Sequence, residues 1–250
     1  MSTKIIQITD IHLNKSKDIV SNGVNTFESA SMVIDSIRVN EKNIDCLILS
    51  GDLSNDCSIE SYNHLMQLLK DFETSIYLMA GNHDSPSHLK TLANNKNIFL
   101  KNFQCFNNWG VFMFNTKKEN SPNGLLKKDE LKYFDEVLSN TLYENIIIFL
   151  HHHPVPIGSA SMDSMIIENA ELLTDRIMKY DKIKAVSWGH IHNEFNLDMG
   201  SAKLFSTPST CYQAKKKSKN FIIDLKASPG YRKILLHDDG SFDTEVIRVT

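Results

Sequence analysis

Ile146-Ile147-Ile148-Phe149-Leu150 runs straight into His151-His152-His153-Pro154. Five apolar residues without alternation describe a strand covered on both faces, as in a layered α/β protein. A polar cluster at the end of such a strand stands where an open α/β sheet places its ligand crevice. Outward from this segment the same unit recurs in both directions. Residues 4–9, 44–50, 75–80 and 183–188 read as strands. Amphipathic stretches at 24–40, 59–72, 128–139 and 168–180 read as helices, the first with apolar residues at Phe27, Ala30, Val33, Ile34 and Ile37. Strands alternating with helices mark βαβ units. Beyond residue 190 the texture turns to hairpins, with strands expected at 194–198, 202–206, 220–225, 231–237 and 243–249. The last two join through Asp239-Gly240, a turn pair suited to a tight hairpin.

Composition narrows the possibilities. With 250 residues, 41% of them hydrophobic and 23% charged, the chain can bury one sizeable core. A single domain over 1–250, built around more than one sheet, is the economical reading. A net charge of −3 supplies no global basic field for nucleic acid or anionic lipid, so neither a polymer nor a membrane partner is expected. The run Lys215-Lys216-Lys217-Ser218-Lys219 reads as a solvated loop, because no aromatic interleaving accompanies it. Cys46, Cys57, Cys105 and Cys211 form no CxxC pair, which argues against a thiolate zinc site or a disulfide framework and for a reducing compartment. No apolar run reaches the roughly 18 residues of a membrane helix, and a cytoplasmic location is expected.

Ten histidines are the odd count, and seven of them fall at the ends of expected strands. Asp10-Ile-His12 follows the first, Gly51-Asp52 the second, Gly81-Asn82-His83-Asp84 the third, His151-His152-His153 the fourth and Gly189-His190-Ile-His192 the fifth. Carboxylates, an amide and imidazoles thus meet at one rim, a donor set for hard and borderline divalent ions. Asp-x-His and His-x-His on extended backbone would aim alternate side chains at one ion. Asp10, His12, Asp52, Asn82, His151, His190 and His192 are more donors than one ion takes, which suggests two ions with Asp52 between them. Two ions roughly 3.5–4 Å apart form the clamp used for displacement at phosphorus. Two divalent ions, two aspartates and one hydroxide leave about one positive charge, suited to a phosphodiester.

The five blocks D-x-H, G-D, G-N-H-D, H and G-H-x-H, in this order, resemble the calcineurin-like metallophosphoesterase superfamily. Residues 23–29, His151–Pro154, 207–211 and Pro229-Gly230-Tyr231-Arg232 extend the likeness, nearly end to end, to the bacterial class III 3′,5′-cyclic AMP phosphodiesterases. The resemblance implies that Asp10, His12, Asp52 and His192 hold one metal, and Asp52, Asn82, His151 and His190 the other. It implies iron with manganese, zinc or another divalent ion. It also implies two packed mixed β-sheets flanked by helices, a four-layer α/β/β/α sandwich whose second sheet is completed by the β-rich C-terminal third, about 194–250. The chain departs from the family at 121–126, which lacks the usual acidic residue after glycine, and at Tyr133-Phe134, where Trp-Leu is common.

The reaction this implies is hydrolysis of 3′,5′-cyclic AMP to 5′-AMP, with a metal-bridging hydroxide attacking phosphorus opposite the 3′ oxygen. His12, Asn82, His83 and His192 are expected against the substrate. His83 is the candidate for stabilising the transition state and protonating the leaving oxygen, oriented by either Asp56 or Asp84. A metallophosphoesterase acting on a glycerophosphodiester, a 2′,3′-cyclic nucleotide or a phosphomonoester shares every motif, and a non-catalytic scaffold would require broken ligands. His152 and His153 read as supporting residues, and His64, His88 and His237 as unrelated to function. The 207–210 segment reads equally as pocket lining or as an ordinary loop.

Overall fold

The computed structural model describes residues 2–140 and 142–250. In chain order, β1 (Ser2–Ile8) is followed by a small hairpin, β2 (Val20–Ser21) and β3 (Val24–Asn25), then α1 (Thr26–Asn40), β4 (Cys46–Ser50), α2 (Ile59–Leu69), β5 (Ser75–Met79), α3 (Pro86–Leu92) and β6 (Ile98–Phe99). Next come β7 (Phe103–Phe106), β8 (Trp109–Met113), α4 (Lys128–Ser139), β9 (Asn145–Phe149), α5 (Ala160–Asp163), α6 (Glu171–Lys179) and β10 (Ile183–Trp188). The chain ends in β11 (Asn196–Met199), β12 (Ala202–Ser206), β13 (Gly230–His237) and β14 (Phe242–Arg248). Side-chain caps begin the first two long helices: Asn25 accepts from the Phe27 and Glu28 amides, and Ser58 from that of Ser61.

Two six-stranded sheets form, in the orders β14-β13-β1-β4-β5-β6 and β11-β12-β10-β9-β8-β7. Each is parallel in its middle and antiparallel toward an edge, so both are mixed. The unalternating apolar runs now have their reason. In β9, Ile147 and Phe149 face the other sheet while Ile146, Ile148 and Leu150 pack under the helices, and in β4 Cys46 and Ile48 divide from Leu47 and Leu49 in the same way. Three apolar layers result, one between the sheets and one beneath each set of helices, giving the four-layer sandwich. Polar ties cross the middle layer. Gln7, fully buried on β1, donates to Ser50 Oγ at 2.8 Å and accepts from Thr207 Oγ1 at 2.7 Å and from Ser187 Oγ. Trp109 Nε1 on the second sheet donates to the His237 carbonyl on the first.

The C-terminal third corrects one expectation. Only β11 and β12 extend the second sheet; β13 pairs antiparallel with β1, so the last hairpin completes the first sheet instead. Arg232, buried on β13, donates to the Ser206 carbonyl and lies 4.6 Å over the Phe205 ring, and these contacts suit the hairpin to that edge. The strand expected at 220–225 reduces to one bridge, Ala214 with Ile223. Among the described residues, no helix is long and apolar enough to cross a membrane.

Candidate metal centre

Five loops, leaving the C-terminal ends of β1, β4, β5, β9 and β10, meet at one rim and bring all seven expected ligands together. They do so by a route different from the extended backbone expected: Asp10, His12, Asp52, His190 and His192 all have φ between 49° and 66°, in the left-handed region. The intervening Ile11 and Ile191 are fully buried in the two outer apolar layers. Each D-x-H or H-x-H unit is therefore a tight turn that buries its middle residue and presents both outer ones. The motif glycines serve close approach. A Cβ on Gly81 would overlap the Asp52 carboxylate, and one on Gly189 would overlap Thr9 Oγ1 and Asp10 Oδ2.

The donors fall into two touching groups. His192 Nε2 lies 3.4 Å and His12 Nε2 4.0 Å from Asp10 Oδ1, and the two imidazole nitrogens are 3.1 Å apart. On the other side His151 Nε2 lies 3.2 Å from Asn82 Oδ1. Asp52 Oδ2 stands between the groups, 3.7 Å from His12 Nε2 and 3.3 Å from His151 Nε2. Asp10, His12 and His192 could hold one cation, and Asp10, Asp52 and His151 another. The ring orientations suit ligation. His151 Nδ1 is tied to the Ser50 carbonyl and His192 Nδ1 to the Tyr212 carbonyl, both at 2.9 Å, which leaves each Nε2 lone pair facing the site. His190 Nε2 is buried without a partner, a cost that a cation would remove.

The electrostatics agree. Burial holds the His12 and His190 imidazoles well below their usual range, in the neutral form that binds metal. Burial works against ionising Asp52, yet His151 and His12 hold its carboxyl well below the usual range, while burial pushes Asp10 up. Burial also opposes protonation of His151, but Asp52 and Asp10 pull it up to about 9. A field able to keep a proton on a fully buried ring attracts a cation.

His83 sits at the open side, its ring edge-on to His12 at 5.0 Å. Neither expected aspartate orients it. Its amide donates to Asp52 Oδ1 at 2.9 Å and its Nδ1 lies 3.3 Å from the Asn55 carbonyl. Asp84 instead gathers the Leu53, Ser54 and Gly81 amides and the Tyr62 hydroxyl, clamping the loops after β4 and β5 together; burial, then the charge of Asp52, pushes it up to about 6. Asp56 accepts from the Lys15 amide and from Ser58. His152 Nδ1 meets Thr116 Oγ1 at 2.8 Å while its Nε2 lies with the ligand atoms of His151 and His190, and His153 stacks on His190 with Asp163 3.6 Å away. His64 meets the Asn14 carbonyl and His237 meets Asp243.

The 207–210 segment braces the site from below: Ser209 Oγ donates to the Asp10 carbonyl and the Thr210 amide to that of Thr9. Beyond it Tyr212 stacks on His192, centroids 4.7 Å apart and planes 14° apart, and Phe221 stands edge-on to both. With Met162, Met165 and Asn22 these rings line a cleft of about 290 Å³ beside the metal-ligand cluster. None of these cleft residues carries a local sequence mark; only the assembled fold finds them.

Comparison with known proteins places the chain in one family. The calcineurin-like phosphoesterase family model matches residues 3–194. A curated relative from Escherichia coli (strain K12), named 3′,5′-cyclic adenosine monophosphate phosphodiesterase CpdA, is 33% identical over 247 residues, covering 98% of this chain and 90% of its own. A 3′,5′-cyclic-nucleotide phosphodiesterase from Nostoc sp. is 32% identical over 245 residues, covering 98% and 92%. Among solved structures, a dimetal phosphatase from Danio rerio superposes with a TM-score of 0.68 at 13% identity, covering 99% of both chains, a likeness of fold.

Proposed function

The chain belongs to the calcineurin-like phosphoesterase family, and on that premise we propose that it hydrolyses 3′,5′-cyclic AMP to 5′-AMP at a two-metal centre. The observation that carries the chemistry is the convergence of two carboxylates, four imidazoles and an amide, with one Asp52 oxygen facing both groups. The substrate reading is supported by 31–33% identity, over 98–99% of the chain, with relatives named for cyclic AMP.

Asp10, His12, His192 and Asp52 would hold one divalent ion, and Asp52, Asn82, His151 and His190 the second, with iron and manganese or zinc suited to this oxygen and nitrogen set. When bound, the pair supplies an activated water and balances charge on the phosphoryl oxygens. The protein's own part is position and proton transfer. Ser50 and Tyr212 carbonyls fix the His151 and His192 rings, and the Asp84 clamp fixes the spacing between the Asp52 and Asn82 loops. His83, with Nδ1 held by Asn55, lends its other ring N–H to a phosphoryl oxygen and then protonates the departing 3′ oxygen. His12, Asn82 and His192 border the phosphate, and the Tyr212–Phe221 wall receives the rest of the nucleotide.

The deciding experiment compares kcat/KM of manganese- or iron-loaded protein for cyclic AMP, cyclic GMP, 2′,3′-cyclic AMP and glycerophosphocholine. Cyclic AMP should lead; a value below the others overturns the substrate assignment. No turnover even of an aryl phosphodiester would overturn the enzymatic reading itself.

A further inference from the structure

The run Lys215-Lys216-Lys217-Ser218-Lys219 has a place in the fold that its sequence does not suggest. Residues 213–224 form an arm closed at its base, where the Lys215 amide donates to the Ile222 carbonyl at 2.8 Å and the Asp224 amide to that of Gln213 at 2.8 Å. Lys217, at φ 54°, turns the tip. The arm is docked beside the metal cleft, with Phe221 forming part of its wall. Ser159 Oγ donates to the Ser218 carbonyl at 2.9 Å, and three residues further on each side Met162 and Phe221 line the cleft itself. Phe221 ends the run by packing against His192 and Tyr212.

All four lysines are exposed, and among the described residues none has a carboxylate within ion-pair distance. Asp224 at the base of the arm, held by the Lys226 amide, offsets one of the four charges and leaves the arm a clear positive excess. Asp163 faces His153, and Lys118 pairs with Glu168. A chain of net charge −3 thus gathers four unpaired positive charges on one arm beside the place where an anionic ester must enter.

We infer that the 215–219 arm recruits the phosphate-bearing substrate electrostatically, raising its concentration at the metal cleft without taking part in the chemistry. The inference rests on the phosphodiesterase reading for its substrate, but its signature is independent of which diester is cleaved. Unpaired surface charges act over the Debye length, roughly 30 Å at 0.01 M salt and 8 Å at 0.15 M, so the effect must fade with salt. Focusing of this kind raises association by about 10-fold or more.

The test replaces all four residues, Lys215→Gln, Lys216→Gln, Lys217→Gln and Lys219→Gln, in the full metal-loaded chain. It measures kcat and KM for cyclic AMP and for bis(4-nitrophenyl) phosphate between 10 and 300 mM sodium chloride, with metal content and melting temperature as controls for folding. The expected result is a kcat/KM about 3- to 10-fold lower at low salt, carried by KM, with kcat and metal content unchanged and the wild-type salt dependence largely lost. The corresponding four lysine-to-glutamate changes should deepen the loss. An unchanged salt dependence, or an equal loss at all salt concentrations, overturns the inference. If cyclic AMP proves a poor substrate, the substrate assignment fails while the aryl diester still reports on the arm.

Discussion

Left-handed backbone at five of the seven proposed ligands is the most telling feature at the scale of single residues. A non-glycine residue held there costs on the order of 1 kcal/mol or more, and such strain gathers at functional sites. Here the buried Ile11 and Ile191, and the amide of His190 donating to the Asp10 carboxylate, hold the turns in place. Glycine placement is tuned to the same end, so Gly189→Ala should displace Asp10 and weaken metal binding by about 10- to 100-fold. A chelator competition read by manganese content checks this, and an unchanged affinity would refute the close-approach argument. His83→Ala should keep its metals yet lose about 10²–10⁴ in kcat, because it removes a proton donor and no proposed ligand. Release of metal by that variant would make His83 a ligand instead. The proposed ligands were legible in the sequence because their types and spacing are local. The orientation of His83 was not, since Asn55 binds it through a carbonyl that every residue carries.

At the scale of elements, loops are joined by one buried carboxylate. Asp84 accepts three backbone amides and a tyrosine hydroxyl from segments following β4, β5 and the start of α2. Asp84→Ala would leave those buried amides unsatisfied at about 1–3 kcal/mol each, partly relieved by entering water. We expect a loss of at least about 2 kcal/mol in denaturant unfolding together with weaker metal binding; loss of neither would show that the clamp is dispensable. Sequence patterning marks elements most clearly where both faces are buried, as in β4, β9 and β10. β7 and β8 leave no such mark in the sequence, although β8 is the neighbour of β9. Gly110 breaks the pattern of Trp109–Met113, and it is there because the Phe103 ring packs against it, a cross-strand contact invisible to local periodicity. Residues 220–225 have strand-like composition but spend Phe221 on the cleft, so no ladder forms.

Two sheets must stay in register for the rim to exist, and that is a property of the whole molecule. Gln7 ties β1 to β10 and to the segment after β12 directly below the metal-ligand turns. Gln7→Leu should lower stability by about 2–3 kcal/mol, because three hydroxyls lose a buried partner, which for a chain of this size is a drop on the order of 5–10 °C in melting temperature. Calorimetry decides it, and an unchanged midpoint would mean that apolar packing alone aligns the sheets. Removing metal with a chelator should leave far-UV circular dichroism intact while lowering the melting temperature by several degrees. The apolar layers do not include the site, and an ion at about 100 times its Kd adds roughly 2.7 kcal/mol. A loss of helical signal would instead make the metals part of the fold.

The pairing of β1 with β13 carries one more consequence, in the time the chain takes to be made. β1 lies inside the first sheet, with Ser2 opposite His237 and Gln7 opposite Arg232, so one whole side of the strand finds its partner only after the chain has been made past residue 230. At about 5–20 residues per second, that is ten seconds or more after β1 leaves the ribosome. Throughout that interval β1 offers an open edge, and for most of it Gln7 also lacks Thr207. A nascent chain stopped short of residue 230 should therefore be the form that chaperones hold and proteases find.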